Sequence, residues 1–119
     1  NNKETSLHMI NTKERFIMST IVTNQNYKKE VLEAKEPVLI DFFADWCMPC
    51  KMLSPVIEEI GAELSGVKVC KINVDEEPDL AQQFGVMSIP TLVVMKEGVP
   101  VQTTVGVRPK KEIISMLEM

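Results

Sequence analysis

Two cysteines three positions apart, Cys47 and Cys50, are the residues of this chain whose type and spacing most directly imply chemistry. They stand in "ADWCMPCK", after an aromatic residue and on either side of Met48 and Pro49. At the start of a helix, residues three apart have Cα atoms roughly 5 to 6 Å apart, a distance that a disulfide can span. The spacing allows a reversible disulfide, half of a zinc site or an inert structural bridge.

The local sequence predicts that a helix begins near Pro49 and leaves Cys47 at its N-terminus. Met48 precedes a proline, which disfavours helical geometry at that residue. Free N–H groups and the positive end of the helix dipole stabilise a thiolate, so we expect a lowered thiol pKa at Cys47. Cys50 lies one turn further and should be shielded. This predicts Cys47 as the nucleophile and Cys50 as the resolving sulfur of a mixed disulfide.

The sequence argues against the other two kinds of site. Zinc needs four ligands, and besides the pair the sequence offers only Cys70 and the single histidine, His8. A structural disulfide across so short a loop would stabilise little. Cys70 alternates with apolar residues and is expected to be a small core side chain; the alternative is a regulatory thiol. A redox pair beside a βαβ pattern is therefore favoured, and no metal is expected.

Composition limits the possible partners and compartment. The chain has 119 residues, the usual size of one domain, and a formal net charge of −4, which argues against a nucleic-acid partner. No apolar run approaches the roughly 18 residues that span a bilayer. Three cysteines fit a reducing compartment, so we expect the cytoplasm. No unusual stripe of residues calls for a second subunit, so we expect a monomer. Residues 1–17 are polar and aperiodic and are expected to be an N-terminal extension, with residues 18–119 forming the domain.

From about Ser19 the pattern predicts the order β-α-β-α-β-α-β-β-α. "PVLIDFFA" is apolar on both faces, as in a central strand covered by helices on each side. Asn26 is predicted as the N-cap of the first helix. Strands linked by helices are expected to be mostly parallel, and the turn at Glu97-Gly98 predicts a hairpin that adds an antiparallel edge. The result is a three-layer α/β domain with one mixed sheet.

Several motifs in their order along the chain resemble the thioredoxin family. They are "DFFADWCMPCK" with Pro55 downstream, "KINVDEEP", "SIPT" and "VGV", within a match from about Ser19 to Met119. The resemblance implies a thioredoxin fold, in which a central mixed five-stranded sheet is flanked by four helices. It also implies a Cys47–Cys50 disulfide, reduction of oxidised protein substrates, and electrons supplied by a thioredoxin reductase rather than by a cofactor.

The sequence departs from the family pattern at two positions. Met48 stands where glycine is usual, and Phe43 where tryptophan is common. Met48 borders the nucleophile, so we expect it to change the redox potential of the pair. Two alternatives therefore stay open: an oxidase or isomerase with a shifted potential, and a non-catalytic subunit that binds a partner through an apolar patch.

Three residues away from the pair are expected to support its chemistry. Burial of Asp41 within "VLIDFF" should raise its pKa, and the resemblance implies that it accepts the proton of Cys50; the alternative is a solvent-facing strand residue. Lys71 is implied to tune Asp41, against the alternative of a solvated lysine. Pro90 in "SIPT" is implied to follow a cis bond beside the pair, which frees the backbone of Ile89 to pair with an extended substrate.

The resemblance further implies an apolar docking surface around the cysteines. Its expected members are Trp46, Met48, Pro49, Val74, Ile89, Val105, Gly106 and Val107. Each of them could equally be an ordinary core or surface residue, because apolar atoms contribute much of any protein surface. Met48 is expected to extend this surface, since methionine adapts to varied partners.

Overall fold

A computed structural model describes residues 18–118, so the expected extension at 1–17 and Met119 lie outside the described part. The strands are β1 (Thr20–Ile21), β2 (Val38–Phe43), β3 (Lys68–Asn73), β4 (Thr91–Lys96) and β5 (Val99–Val105); the helices are a π-helix (Lys28–Leu32), α1 (Met48–Glu63), α2 (Pro78–Gln83) and α3 (Lys110–Glu118). This is the predicted order of elements.

The five strands form one mixed sheet in the order β1-β3-β2-β4-β5, with β2 at its centre as predicted. β3 is parallel to both β1 and β2. β4 is antiparallel to β2 although α2 links it to β3, so the antiparallel half begins beside the central strand. The prediction of mostly parallel helix-linked strands, with an antiparallel edge added by the final hairpin, is confirmed.

The first helix begins differently from the prediction. Its N-cap is Tyr27, and among the described residues no side chain caps that end. Asn26, the predicted cap, instead closes the preceding turn: its Oδ1 accepts from the N–H of Thr23 at 2.7 Å, and its amide donates to the Ile21 carbonyl. Asparagine is favoured both at helix N-caps and in turns, because in each its side chain bonds to nearby backbone groups. The local sequence therefore does not show which of the two roles Asn26 takes.

Helices cover both faces of the sheet, which gives the three layers. Val38, Ile40 and Phe42 of β2 pack into one core with the π-helix and α2. Leu39, on the opposite face of the same strand, packs into a second core with α1 and α3. Because side chains alternate along a strand, Asp41 belongs to the Leu39 face and lies on the side of the sheet that α1 covers.

Candidate active site

The start of α1 holds the two cysteines. Cys47 is the N-cap, with extended backbone angles of φ −88° and ψ 109°, and its Sγ accepts a hydrogen bond from the N–H of Cys50 at 3.2 Å. Pro49, inside the first turn, suits that place because its missing N–H would have had no helical partner. The two cysteines form a disulfide with Cα atoms 5.3 Å apart. One sulfur thus lies at the positive end of α1, the longest of the described helices.

The two cysteines border different cavities, although both are largely buried in the disulfide state. Cys47 lines an apolar cavity of about 520 Å³ between the start of α1 and the loop before β4. Cys50 lines a separate cleft of about 170 Å³, together with Ser54 and Lys71. A partner that docks in the first cavity therefore meets Cys47, while Cys50 opens toward a lysine.

Asp41 is fully buried, and within the described part of the chain neither carboxylate oxygen has a hydrogen-bond partner. Burial raises its pKa from 3.8 to about 6, Lys71 opposes this rise, and Glu58 adds to it. The β2–β3 register pairs Asp41 with Lys71 on one face of the sheet. The alternative of a solvent-facing strand residue is wrong. A carboxyl group is thus held in a state that can exchange a proton near neutral pH.

Lys71 is held at the Cys50 cleft rather than left in solvent. Its Nζ donates to Ser54 Oγ at 2.9 Å and lies 4.7 Å from the centre of the Phe43 ring. A cation over an aromatic face is attracted to it, so Phe43 and Ser54 together fix the ammonium group. Sequence reasoning did not select Ser54. Its signal was a small polar residue four positions after Cys50, on the same helix face.

The peptide bond between Ile89 and Pro90 is cis, in the loop that faces the cysteine pair. Cys47 Sγ lies 3.9 Å from the carbonyl oxygen of Ile89. The N–H of Gly106 donates to the Pro90 carbonyl at 2.8 Å, and Gly106 has a φ of +92°, which favours glycine. These contacts bring the "SIPT" and "VGV" segments together beside Cys47.

The structure brings most of the expected docking residues to the Cys47 cavity, and adds three others. Among the expected residues, those that line it are Trp46, Met48, Pro49, Val74 and Ile89. Val105 and Val107 are exposed and flank Gly106, outside the lining. The three residues that sequence reasoning missed are Val86, Met87 and Ser88. Their signal was their position directly before Ile89 and Pro90.

Trp46 lies exposed at the rim of this cavity and is held in place by a polar contact. Its Nε1 donates to Asp75 Oδ2 at 2.8 Å. Asp75 follows β3, and its own N–H donates to Asn73 Oδ1 at 2.9 Å. The ring therefore has a fixed orientation and offers an apolar surface next to Cys47.

The third cysteine lies apart from the pair. Cys70 is a buried free thiol in the core with Ile72, and burial raises its pKa to about 11. It is the small core side chain that alternation predicts. Over residues 18–118, no group of three or more His, Cys, Asp and Glu side chains is placed to hold a metal ion. In the same range, no helix combines the length and apolarity needed to cross a bilayer.

Comparison with known proteins gives one consistent family. The thioredoxin family model matches residues 18–119. A thioredoxin of Rickettsia felis is 46% identical over 101 residues, which cover 84% of this chain and 96% of the relative. Thioredoxin 1 of Synechococcus elongatus is 47% identical over 102 residues, covering 85% and 95%. The solved structure of a mutant thioredoxin from Halobacterium salinarum NRC-1 matches with a TM-score of 0.78 and 37% identity, covering 84% of this chain and 88% of that one.

The fold and the cysteine pair at a helix start define a thiol–disulfide oxidoreductase. The chain belongs to the thioredoxin family. It is a protein-disulfide reductase with a redox-active Cys47–Cys50 centre, as the resemblance implied.

Proposed function

We propose that the chain reduces disulfides of other proteins by two successive thiol exchanges, in which Cys47 attacks and Cys50 resolves. In the first exchange, the Cys47 thiolate bonds to one target sulfur and the second target sulfur leaves as a thiolate. In the second, Cys50 attacks Cys47 Sγ, the bound target sulfur leaves, and the Cys47–Cys50 disulfide forms. Two electrons pass to the target in each cycle.

The observation that carries this assignment is the separation of the two cavities. Cys47 borders the larger apolar cavity, where a protein partner has room to dock. It also sits at the N-cap of α1, where N–H groups and the helix dipole favour a thiolate. Cys50 borders the smaller cleft, beside Lys71. A protein docked in the larger cavity approaches the sulfur of Cys47. We therefore assign the attack to Cys47 and the resolution to Cys50.

In this proposal Asp41 takes the proton of the Cys50 thiol when Cys50 attacks, and returns a proton when the pair is reduced again. Its pKa of about 6 lies near neutral pH, and a pKa near the operating pH is the condition for an effective general base. Lys71 tunes Asp41 by lowering that pKa, and it borders the same cleft as Cys50. Lys71 itself exchanges no proton in the mechanism.

A substrate segment is proposed to lie extended along Ile89, with its target cysteine over Cys47. Pro90 lacks an N–H, so no backbone donor competes at that position beside the sulfur. The proposed docking surface consists of Trp46, Met48, Pro49, Val74, Ile89, Val105, Gly106 and Val107. It is largely apolar, which suits varied protein partners.

The remaining parts of the proposal concern partners and place of action. Electrons are supplied by a thioredoxin reductase, so the chain itself needs no bound cofactor, and the oxidised substrates are proteins. The chain acts as a monomer in the cytoplasm. Its catalytic domain is residues 18–119, and residues 1–17 are an extension. Support comes from the names of its relatives, which are thioredoxins, and from the odd number of cysteines.

Trapping of mixed disulfides tests the division of roles. We expect the Cys50→Ser variant to accumulate covalent adducts with oxidised proteins through Cys47, because its resolving sulfur is missing. Non-reducing electrophoresis measures the adducts, and peptide mass spectrometry identifies the bonded cysteine.

The Cys47→Ser variant is the matched control, since it keeps Cys50 and the fold. It should form few adducts and should not reduce insulin. If Cys47→Ser trapped partners as well as Cys50→Ser does, the assignment of nucleophile would be reversed. Full disulfide-reducing activity in Cys47→Ser would remove the dithiol mechanism altogether.

A further inference from the structure

Two exposed methionines line the cavity that borders Cys47. Met48 lies at the start of α1 and is 65% exposed; Met87 lies in the loop before the cis bond and is 95% exposed. The rest of the lining is mainly apolar and includes Trp46, Val74 and Ile89. Thioether sulfurs at such a surface are open to solvent and to any small reagent dissolved in it.

We propose that Met48 and Met87 form an oxidation site, at which conversion to methionine sulfoxide weakens substrate docking. The reagent is a hydroperoxide. A lone pair of the thioether sulfur attacks the outer peroxide oxygen, the O–O bond breaks, and the departing oxygen leaves as water or an alcohol after it receives the transferred oxygen's proton. The sulfur is oxidised by two electrons and the hydroperoxide is reduced by two.

The site is built so that oxidation of these thioethers has a consequence. A sulfoxide is polar and chiral, and it replaces a flexible apolar side chain on a surface that must be desolvated by the partner. Other methionines differ in this respect: Met95 and Met116 are buried in the cores, and Met52 is 66% exposed on α1 but outside the cavity lining. Met48 and Met87, in contrast, are both exposed and part of the cavity lining.

In the disulfide form, methionine oxidation can be followed without competing oxidation of the cysteines. Cys47 and Cys50 are bonded to each other and carry no thiolate, and the free thiol of Cys70 is buried with its pKa raised to about 11. Peroxide added to the oxidised protein therefore meets thioethers first, since the thiolate is the reactive form of cysteine. The inference rests on the proposed docking of substrates in the Cys47 cavity.

The experiment treats the disulfide form of the full chain with hydrogen peroxide, removes the peroxide, and measures dithiothreitol-driven reduction of insulin. Peptide mass spectrometry follows each methionine. We expect Met48 and Met87 to be oxidised about as fast as Met52 and at least about tenfold faster than Met95 and Met116. The treated protein should lose about fivefold to tenfold in kcat/KM, mainly through a higher KM.

Paired variants decide whether the cavity is responsible, with each variant compared to its own untreated sample. The Met48→Leu/Met87→Leu variant should keep its untreated kcat/KM after peroxide, whereas Met52→Leu should lose as much as the parent chain. A loss of similar size in the double leucine variant, or an unchanged kcat/KM in a parent chain shown to carry both sulfoxides, overturns the proposal. The activity of untreated protein reports the dithiol mechanism separately, so the two failures are distinguishable.

Discussion

Asp41, the proposed proton acceptor, is also a residue whose ionisation affects the stability of this fold. Its carboxyl group is buried on the α1 side of the sheet, without a hydrogen-bond partner among the described residues. Burial raises its pKa to about 6. The charged form is thus stabilised less in the folded chain than in water, and the protein carries that cost whenever Asp41 is ionised.

The Asp41→Asn variant should be more stable than the parent chain in alkaline solution. The folded chain binds the Asp41 proton up to about pH 6, whereas an unfolded aspartate loses it near pH 3.8. Stability therefore falls as pH rises through this window, and above it the loss is about 3 kcal/mol, at about 1.4 kcal/mol per pKa unit. We expect Asp41→Asn to gain about 1–3 kcal/mol at pH 8 and much less at pH 4, measured by urea unfolding of the disulfide form.

Replacement of the exposed Asp45 by asparagine controls for the loss of one negative charge. Asp45 lies in the loop after β2. Its variant should change stability by a similar small amount at both pH values. An Asp41→Asn gain that is equal at pH 4 and pH 8 would contradict the role assigned to burial of the carboxyl group.

Residue types and spacing predicted the chemistry of the pair, but not everything that surrounds it. Cys47 and Cys50 could be identified because their spacing, the following helix and the interrupted strand at Asp41 are local signals. Met87 and Ser54 were not identified, because their sequence signals are weak and their contacts involve residues distant in sequence: Met87 faces the start of α1 across a cavity, and Ser54 Oγ accepts a hydrogen bond from Lys71 of β3. Such contacts depend on tertiary packing.

The elements of the fold and the mixed character of its sheet were largely predictable, whereas the strand against which β4 pairs was not. Apolar runs and helical periodicity located all nine elements, because burial requires those patterns. The sequence of β4 alone does not show whether it runs parallel or antiparallel to β2, since a strand that is apolar on both faces can pair in either direction. The turn at Glu97-Gly98 was predicted correctly because two residues between paired strands leave few conformations open.

The Glu97→Asn variant should stabilise the hairpin of β4 and β5. Glu97 and Gly98 both have positive φ, at 51° and 78°, as a two-residue hairpin turn requires. Glutamate is strained in that region, whereas asparagine tolerates it. We expect a gain of about 0.5–1 kcal/mol in the free energy of unfolding, measured with urea.

Gly98→Ala is the opposite test at the neighbouring position. A Cβ there would lie 3.2 Å from the Leu32 carbonyl oxygen, in addition to the positive φ. We expect it to lose at least about 1 kcal/mol. If Glu97→Asn and Gly98→Ala changed the free energy of unfolding equally, this turn would not require positive φ at both positions.

At the scale of the whole molecule, the redox potential of the pair is a difference between two folded states. The disulfide form is favoured to the extent that the fold is more stable with the cysteines bonded than with them reduced. In the proposed mechanism, the surroundings of the pair contribute to this difference: the α1 N-terminus, Asp41, Lys71 and the loop at Pro90. Met48 is part of the same balance, and its effect could not be derived from its identity alone.

We expect the pair, equilibrated with a glutathione buffer, to be more reducing than the cytosolic glutathione pool. Reduction should then lower the denaturation midpoint, with about 1.4 kcal/mol of stability for every 30 mV. The Met48→Gly variant tests the same relation between redox potential and stability. Its change in potential should match the change in the difference between the stabilities of its disulfide and reduced forms. A potential above the glutathione poise, or a reduced form that is the more stable, would indicate an oxidant instead.

The separation of the two sulfurs has a consequence for access to the site during the reaction. A partner bound over the Cys47 cavity would close that entrance, but the cleft of Cys50, Ser54 and Lys71 opens elsewhere on the surface. Water and buffer could then still reach the inner sulfur while the partner is attached. Thiol exchange with the partner would take place at the Cys47 cavity, and proton exchange with solvent at the Cys50 cleft. The Cys50 site could therefore exchange protons with solvent before the covalent complex dissociates.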